Sequence, residues 1–85
     1  MEEKLKDKIG KIVHYYDKIG VAIIELSGKL KVGDRIRIKG NGIDFEQEVS
    51  SMQIEHEDIK EAKKGETIGL KIEQKAKEGD EVYLV

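Results

Sequence analysis

One short phrase occurs three times in this chain of 85 residues and limits its fold more than any other feature. Each copy consists of lysine, any residue, glycine, an acid, any residue and an aliphatic residue. Glycine tolerates a positive φ, the acid can accept a hydrogen bond from nearby backbone, and the aliphatic residue begins an extended, half-buried segment. The phrase therefore predicts three glycine turns that each lead into a β-strand. The copies lie at residues 31–36, 63–68 and 77–82.

Composition limits the classes of protein that the chain can belong to. The absence of cysteine excludes disulfides, thiolate metal ligands and a cysteine nucleophile. No apolar run approaches the roughly 18–20 residues that span a bilayer, so we expect no membrane association. The many lysines and glutamates are typical of thermophile surfaces. We expect a charged, flexible leader over residues 1–8, one domain over residues 9–85 and a cytoplasmic location.

Apolar and polar residues alternate over most of the chain, which predicts β-strands rather than helices. The strand from Ile19 to Leu26 is apolar on both faces, as expected near the middle of a closed sheet. Six short strands without a long amphipathic helix predict an all-β fold, namely a small closed six-stranded antiparallel β-barrel. An open sandwich is the alternative. The six segments are 10–16, 19–26, 35–39, 43–56, 68–72 and 82–85.

The long segment after the Gly40-Asn41-Gly42 hairpin signal changes its alternation. Phe45 and Val49 share one parity, whereas Met52 and Ile54 share the other. A strand can turn both sets inward only by inserting a residue, so we predict a β-bulge or bend at 50–51. The polar stretch over residues 57–64 has room for a short helical turn.

Several segments occur in an order that resembles the second domain of translation elongation and initiation factors. The similarity extends over roughly residues 9–85, so the chain resembles a translation elongation factor-like protein. The resemblance to this domain of elongation factor Tu-type and initiation factor-type GTPases implies a six-stranded barrel. Similar barrels form the C-terminal accessory domain of a collagenase-like peptidase family. The segments are Gly10-x-Ile12-Val13, Gly20-Val21-Ala22, Leu30-x-Val32-Gly33-Asp34-x-Ile36, Val49-Ser-Ser-Met-Gln53 and Ala62-x-x-Gly65-x-x-Ile68-Gly69.

The resemblance does not extend to GTP binding by this chain alone. The sequence has neither a Gly-x-x-x-x-Gly-Lys-Ser/Thr phosphate loop nor an Asn-Lys-x-Asp guanine motif. In the tRNA-carrying members this domain holds the aminoacyl end of tRNA, and an acid stacks on the terminal adenine. Gln53 stands at the matching position here, and Glu55 is the next outward residue.

Aromatic and cationic side chains supply the remaining candidate contacts. Tyr15 and Tyr16, beside His14, form the only aromatic cluster, which would stack on a nucleobase with help from Arg35 and Arg37. The alternative is that a tyrosine fills the core while His14 is an exposed strand residue. The row Arg35, Arg37 and Lys39 would contact phosphate or an acidic partner. Its alternative is cross-strand pairing with Glu46 and Glu48.

No catalytic, metal or cofactor residue is predicted. The acids around His56 match no zinc spacing, and no serine has an evident base. We expect a non-enzymatic module that docks on a protein or ribonucleoprotein partner. The alternatives are an RNA- or tRNA-binding domain and an accessory subunit of a peptidase-type enzyme. The candidate partner or RNA contacts are Tyr15, Tyr16, Arg35, Arg37, Gln53 and Glu55.

Overall fold

The computed structural model describes residues 8–85, and this part of the chain consists of β-strands, turns and loops. Residues 1–7 of the predicted leader lie outside the described residues, and its last residue, Lys8, begins the first strand. The described range contains no long apolar helix of the kind that spans a bilayer. The strands are β1 Lys8–Tyr16, β2 Val21–Leu26, β3 Leu30–Lys31, β4 Arg35–Gly40, β5 Ile43–Glu48, β6 Met52–Ile54, β7 Glu57–Ile59, β8 Glu61–Ala62, β9 Thr67–Lys71 and β10 Glu81–Leu84.

Eight strands form one antiparallel sheet in the order β5-β4-β10-β1-β2-β9-β6-β7, and β3 pairs with β8 separately. Alternate residues of the strands point to one side and form an aliphatic core. The all-β class predicted from the alternation is therefore confirmed. The largest fully buried side chains are Ile12, Ile24, Leu30, Ile36, Ile38, Val49, Met52, Ile68, Leu70 and Val82.

The three glycine phrases form three turns with the same hydrogen bonds. In each turn the glycine has a φ between 93° and 99°, and the acid's amide donates to the lysine carbonyl at 3.1 Å. The acid's carboxylate accepts a hydrogen bond from the lysine amide, at 3.1 Å for Asp34, 2.7 Å for Glu66 and 2.8 Å for Asp80. Positive φ at the third position is typical of a type II turn. Both predicted roles, that of the glycine and that of the acid, are confirmed.

Each turn also binds one buried residue of another segment through two backbone hydrogen bonds. The glycine amide donates to the carbonyl of that residue, and the residue's own amide donates to the carbonyl of the acid. These N···O distances lie between 2.7 and 2.9 Å. Each glycine turn therefore fixes a point of the chain whose side chain enters the core. The turn at residues 33–34 binds Val49, the turn at 65–66 binds Leu26, and the turn at 79–80 binds Ile12.

The predicted closed barrel of six strands is wrong. The described residues form ten strands, and β5 and β7, at the two ends of the large sheet, are not paired with each other. One physical reason lies at β5. The side chain of Gln47, and not a further strand, makes the contact between β5 and the segment after β9. Gln47, which is 3% exposed, donates from Nε2 to the Lys71 carbonyl at 3.0 Å. Its Oε1 accepts from the Glu73 amide at 2.7 Å.

The change of alternation is a real break in the chain. β5 ends at Glu48 and β6 begins at Met52, so the predicted bend at residues 50–51 is confirmed. The helical turn considered for residues 57–64 is wrong, because this stretch contains the short strands β7 and β8 and no helix. A tight turn at Glu55-His56 folds β7 back on β6, and Asp58 lies opposite Gln53.

Replacing Gly79 by alanine tests the backbone requirement of the turns. A Cβ at this φ costs about 1–2 kcal/mol, although no atom lies near enough to clash. We expect Gly79→Ala to lower the melting temperature by roughly 4–8 °C per kcal/mol, measured by circular dichroism. Gly69→Ala is the control, since Gly69 lies in β9 without a positive φ and has room for a methyl group. Equal losses in both variants would contradict the role assigned to the turn.

Replacing Gln47 by leucine tests the contact between β5 and the segment after β9. The volume is nearly kept, but the Glu73 amide and the Lys71 carbonyl lose their partner. We expect a loss of about 1–3 kcal/mol in the free energy of unfolding, measured with urea. Gln53→Leu is the control, because exposed Gln53 bonds only the Asp58 side chain among the described residues. Unchanged stability of Gln47→Leu would show that the amide is dispensable.

Candidate functional site

The predicted cation row on β4 is engaged with acids of β5. Arg37 forms a bidentate salt bridge with Asp44, with Nε 2.7 Å from Oδ1 and Nη2 2.8 Å from Oδ2. Arg35 Nε lies 3.2 Å from Glu46 Oε1. The pairs are diagonal, because the residues directly opposite are Glu48 for Arg35 and Glu46 for Arg37. Pairing with Glu46 is confirmed, whereas Asp44 takes the place expected for Glu48.

Hydrogen bonding shifts the proton affinity of these paired groups. The hydrogen bond from Arg37 lowers the pKa of Asp44 and raises the pKa of Arg37 itself. On neighbouring β10 the Tyr83 hydroxyl donates to Glu81 at 2.6 Å, and Lys8 Nζ lies 3.1 Å from the same carboxylate. These two bonds, the tyrosine's first, lower the pKa of Glu81, and the pKa of Tyr83 is raised. A phosphate bound here would have to compete with the carboxylates for the arginines.

The two tyrosines point to opposite faces of the sheet. Tyr15 is half-buried and packs against the core, whereas Tyr16 is 48% exposed. The Tyr16 ring meets His14 edge-on with centroids 4.3 Å apart. His14 is an exposed strand residue whose Nδ1 lies 3.0 Å from Glu78 Oε2. Of the two, Tyr15 is the one that packs against the core, as the alternative expected of one tyrosine, although it is only half-buried.

The tyrosines and the arginines do not form one surface. Arg37 is opposite Tyr83, which is opposite Lys8 at the start of β1. Tyr16 lies eight residues farther along β1, or roughly 25 Å at about 3.3 Å per residue. A stacking platform assisted by Arg35 and Arg37 is therefore not assembled here. RNA binding itself stays a prediction.

Gln53 and Glu55 line an open groove on the outer face of β2, β9 and β6. Its volume is about 480 Å³. Gly69 forms the middle of the floor, and a Cβ there would lie 3.6 Å from Val21 Cγ1 and 3.7 Å from Ile23 Cδ1. We call this feature the Gly69 groove. Its lining consists of Ile23, Gln53, Ile54, Glu55, Glu66, Thr67, Ile68 and Gly69.

A tight turn sets the position of Glu55 at the groove. Glu55 and His56 have φ values of 51° and 68°, and they are the described non-glycine residues with positive φ. Hairpin turns with two such residues usually contain asparagine and glycine. Each larger side chain costs roughly 1–2 kcal/mol in this conformation. The turn therefore places the Glu55 side chain at the groove although glutamate disfavours a positive φ.

The sequence contained signals for the groove that our prediction did not use. Val21 and Ile23 are apolar at outward positions of a middle strand, and both are half-buried rather than covered. Gly69 stands in a strand interior, where glycine often permits close approach of another molecule. Among residues 8–85 no three histidine, cysteine, aspartate or glutamate side chains come close enough to hold a metal ion.

The curated proteins that resemble this chain carry the names of proteases. The chain is 48% identical, over 94% of its length, to an uncharacterized protease of Methanocaldococcus jannaschii. It is 33% identical, over 92% of its length, to a collagenase of Porphyromonas gingivalis. It spans only 20% and 22% of these two proteins. The similarity therefore concerns about a fifth of each relative.

Solved structures with the same fold come from Geobacillus thermoleovorans. Two crystal structures of the C-terminal domain of a protein described as a U32 peptidase superpose with TM-scores of 0.88 and 0.85. The first match covers 100% of this chain and 99% of that domain, and the second covers 89% and 96%. At 15% sequence identity, these matches concern the fold alone.

The family match includes most of the described strands. The family described as Elongation factor Tu domain 2 matches residues 21–80, from the start of β2 to the acid of the third glycine turn. This range contains two complete copies of the glycine phrase and the whole Gly69 groove. The chain belongs to the Elongation factor Tu domain 2 family.

Proposed function

We propose that this chain is a non-catalytic accessory module of a peptidase-type protein and that it docks a protein partner. One observation carries the proposal: 94% of the chain matches a fifth of a protease at 48% identity. In a protein of that kind, the other four-fifths are available for the peptide-cleaving groups. The module would then contribute binding rather than chemistry.

The arrangement of charges supports a protein partner over RNA. Salt-dependent binding to RNA requires cations that face phosphates. Arg35 and Arg37 are already bound to Glu46 and Asp44, and the Gly69 groove is lined by carboxylates. The open groove on the sheet offers a protein segment a place to bind.

A domain exchange in the Porphyromonas gingivalis collagenase tests the proposal. One variant lacks the segment that matches this chain, and a second carries this chain in its place. We expect the deletion to lower kcat/KM on collagen at least about tenfold, or about 1.4 kcal/mol, and the exchange to restore it. The deletion should lower kcat/KM on a short peptide substrate less than on collagen, because a short peptide does not need a docking module.

Two controls make the exchange decisive. A chimera with an unrelated β-domain of the same size should behave like the deletion. The isolated chain should cleave neither collagen nor the short peptide. Cleavage by the isolated chain, or full collagen cleavage by the deletion variant, would contradict an accessory role.

A further inference from the structure

We propose that the Gly69 groove binds an extended basic segment of the protein partner. In this arrangement an arginine or lysine side chain of the partner lies over Gly69, and its charged end reaches the carboxylates of Glu55 and Glu66. The inference rests on the proposed function, since it names the surface with which the module holds its partner.

The floor of the groove suits the aliphatic part of a long side chain. Gly69 adds no side chain to the outer face, so a shallow channel remains between Ile23 of β2 and Gln53 of β6. Val21 and Ile23 point outward from a middle strand and remain half-buried. Lysine and arginine bury their methylene groups on such surfaces and keep the charge at the edge.

The charges at the groove favour a cation. Glu55 and Glu66 line it, whereas no lysine or arginine does, and neither acid takes part in the ion pairs of residues 8–85. Glu66 is oriented by the hydrogen bond that its Oε1 accepts from the Lys63 amide at 2.7 Å. Two carboxylates with no lysine or arginine in the lining attract a basic protein segment and repel a phosphate chain.

Two substitutions alter the groove, and thermal melting of each variant checks that the fold is kept. Gly69→Val places a side chain in the channel; its Cβ would meet only ordinary van der Waals contacts, and valine favours strands. Glu55→Asn removes a carboxylate at a position where the turn itself prefers asparagine. Both variants should therefore melt at or above the temperature of the unaltered chain. Glu57→Gln is the matched control, since it removes an acid of the same hairpin that does not line the groove.

The test is fluorescence anisotropy with two labelled octapeptides, one alternating arginine with valine and the other alternating glutamate with valine. We expect the chain to bind the arginine peptide and not the glutamate peptide. Glu55→Asn should weaken binding about fivefold, as expected for loss of one partly exposed ion pair. Gly69→Val should weaken it at least about tenfold, the effect of blocking a central contact. Glu57→Gln should change it by less than about twofold.

Three results of the binding assays would overturn the inference. These are equal binding of both peptides, unchanged affinity in Gly69→Val, and binding of a single-stranded RNA that Gly69→Val abolishes. The peptide assay needs no peptidase, so its outcome is separate from that of the collagenase exchange. An exchange chimera that keeps full collagen cleavage with Gly69→Val would contradict the groove inference and leave the accessory role standing.

Discussion

Each glycine turn is joined to a buried residue by two backbone hydrogen bonds. These bonds hold the sheet together at the points where regular strand pairing does not. Ile12, Leu26 and Val49 lie in β1, at the end of β2 and just after β5, where regular pairing shifts or stops. Their amides and carbonyls are buried and would be costly to leave without partners. The turns supply those partners because glycine accepts the positive φ and the acid ties the turn to its own lysine amide. A repeated phrase of few residues thereby fixes three separate parts of the core.

Local chemistry was predictable from the sequence, whereas long-range placement was not. The glycine turns, the hairpin at Asn41-Gly42 and the break before Met52 follow from φ preferences and from the period of two, which act over few residues. The closed barrel failed because alternation does not say which strands become neighbours. Gln47 stands at an inward position between Phe45 and Val49, which was a signal for a buried amide. Its partners at Lys71 and Glu73 depend on topology and cannot be inferred from spacing.

For the candidate contact residues, too, local pairing could be predicted from the sequence and long-range placement could not. Cross-strand pairing of Arg35 with Glu46 follows from the hairpin register, so its chemistry was visible in the sequence. Tyr16 is far from Arg37 because the register aligns Arg37, through Tyr83 of β10, with Lys8 at the opposite end of β1, and this register depends on the whole strand order. The groove is likewise a product of β2, β9 and β6 meeting. Outward strand positions are ordinarily polar and strand interiors ordinarily lack glycine, so Ile23 and Gly69 are both exceptions. Such exceptions are often sites of contact with another molecule.

Native-state amide hydrogen exchange measures directly whether the glycine turns are held by the core residues. The amides of Gly33, Gly65 and Gly79 lie in turns, where exchange is ordinarily fast. We expect all three to exchange as slowly as the buried strand amide of Ile24, because each donates to the carbonyl of a core residue. The exposed turn amide of Gly42, which makes no hydrogen bond of this kind among the described residues, should exchange fast. Fast exchange at the three turn glycines alongside slow exchange at Ile24 would show that the core residues do not hold the turns.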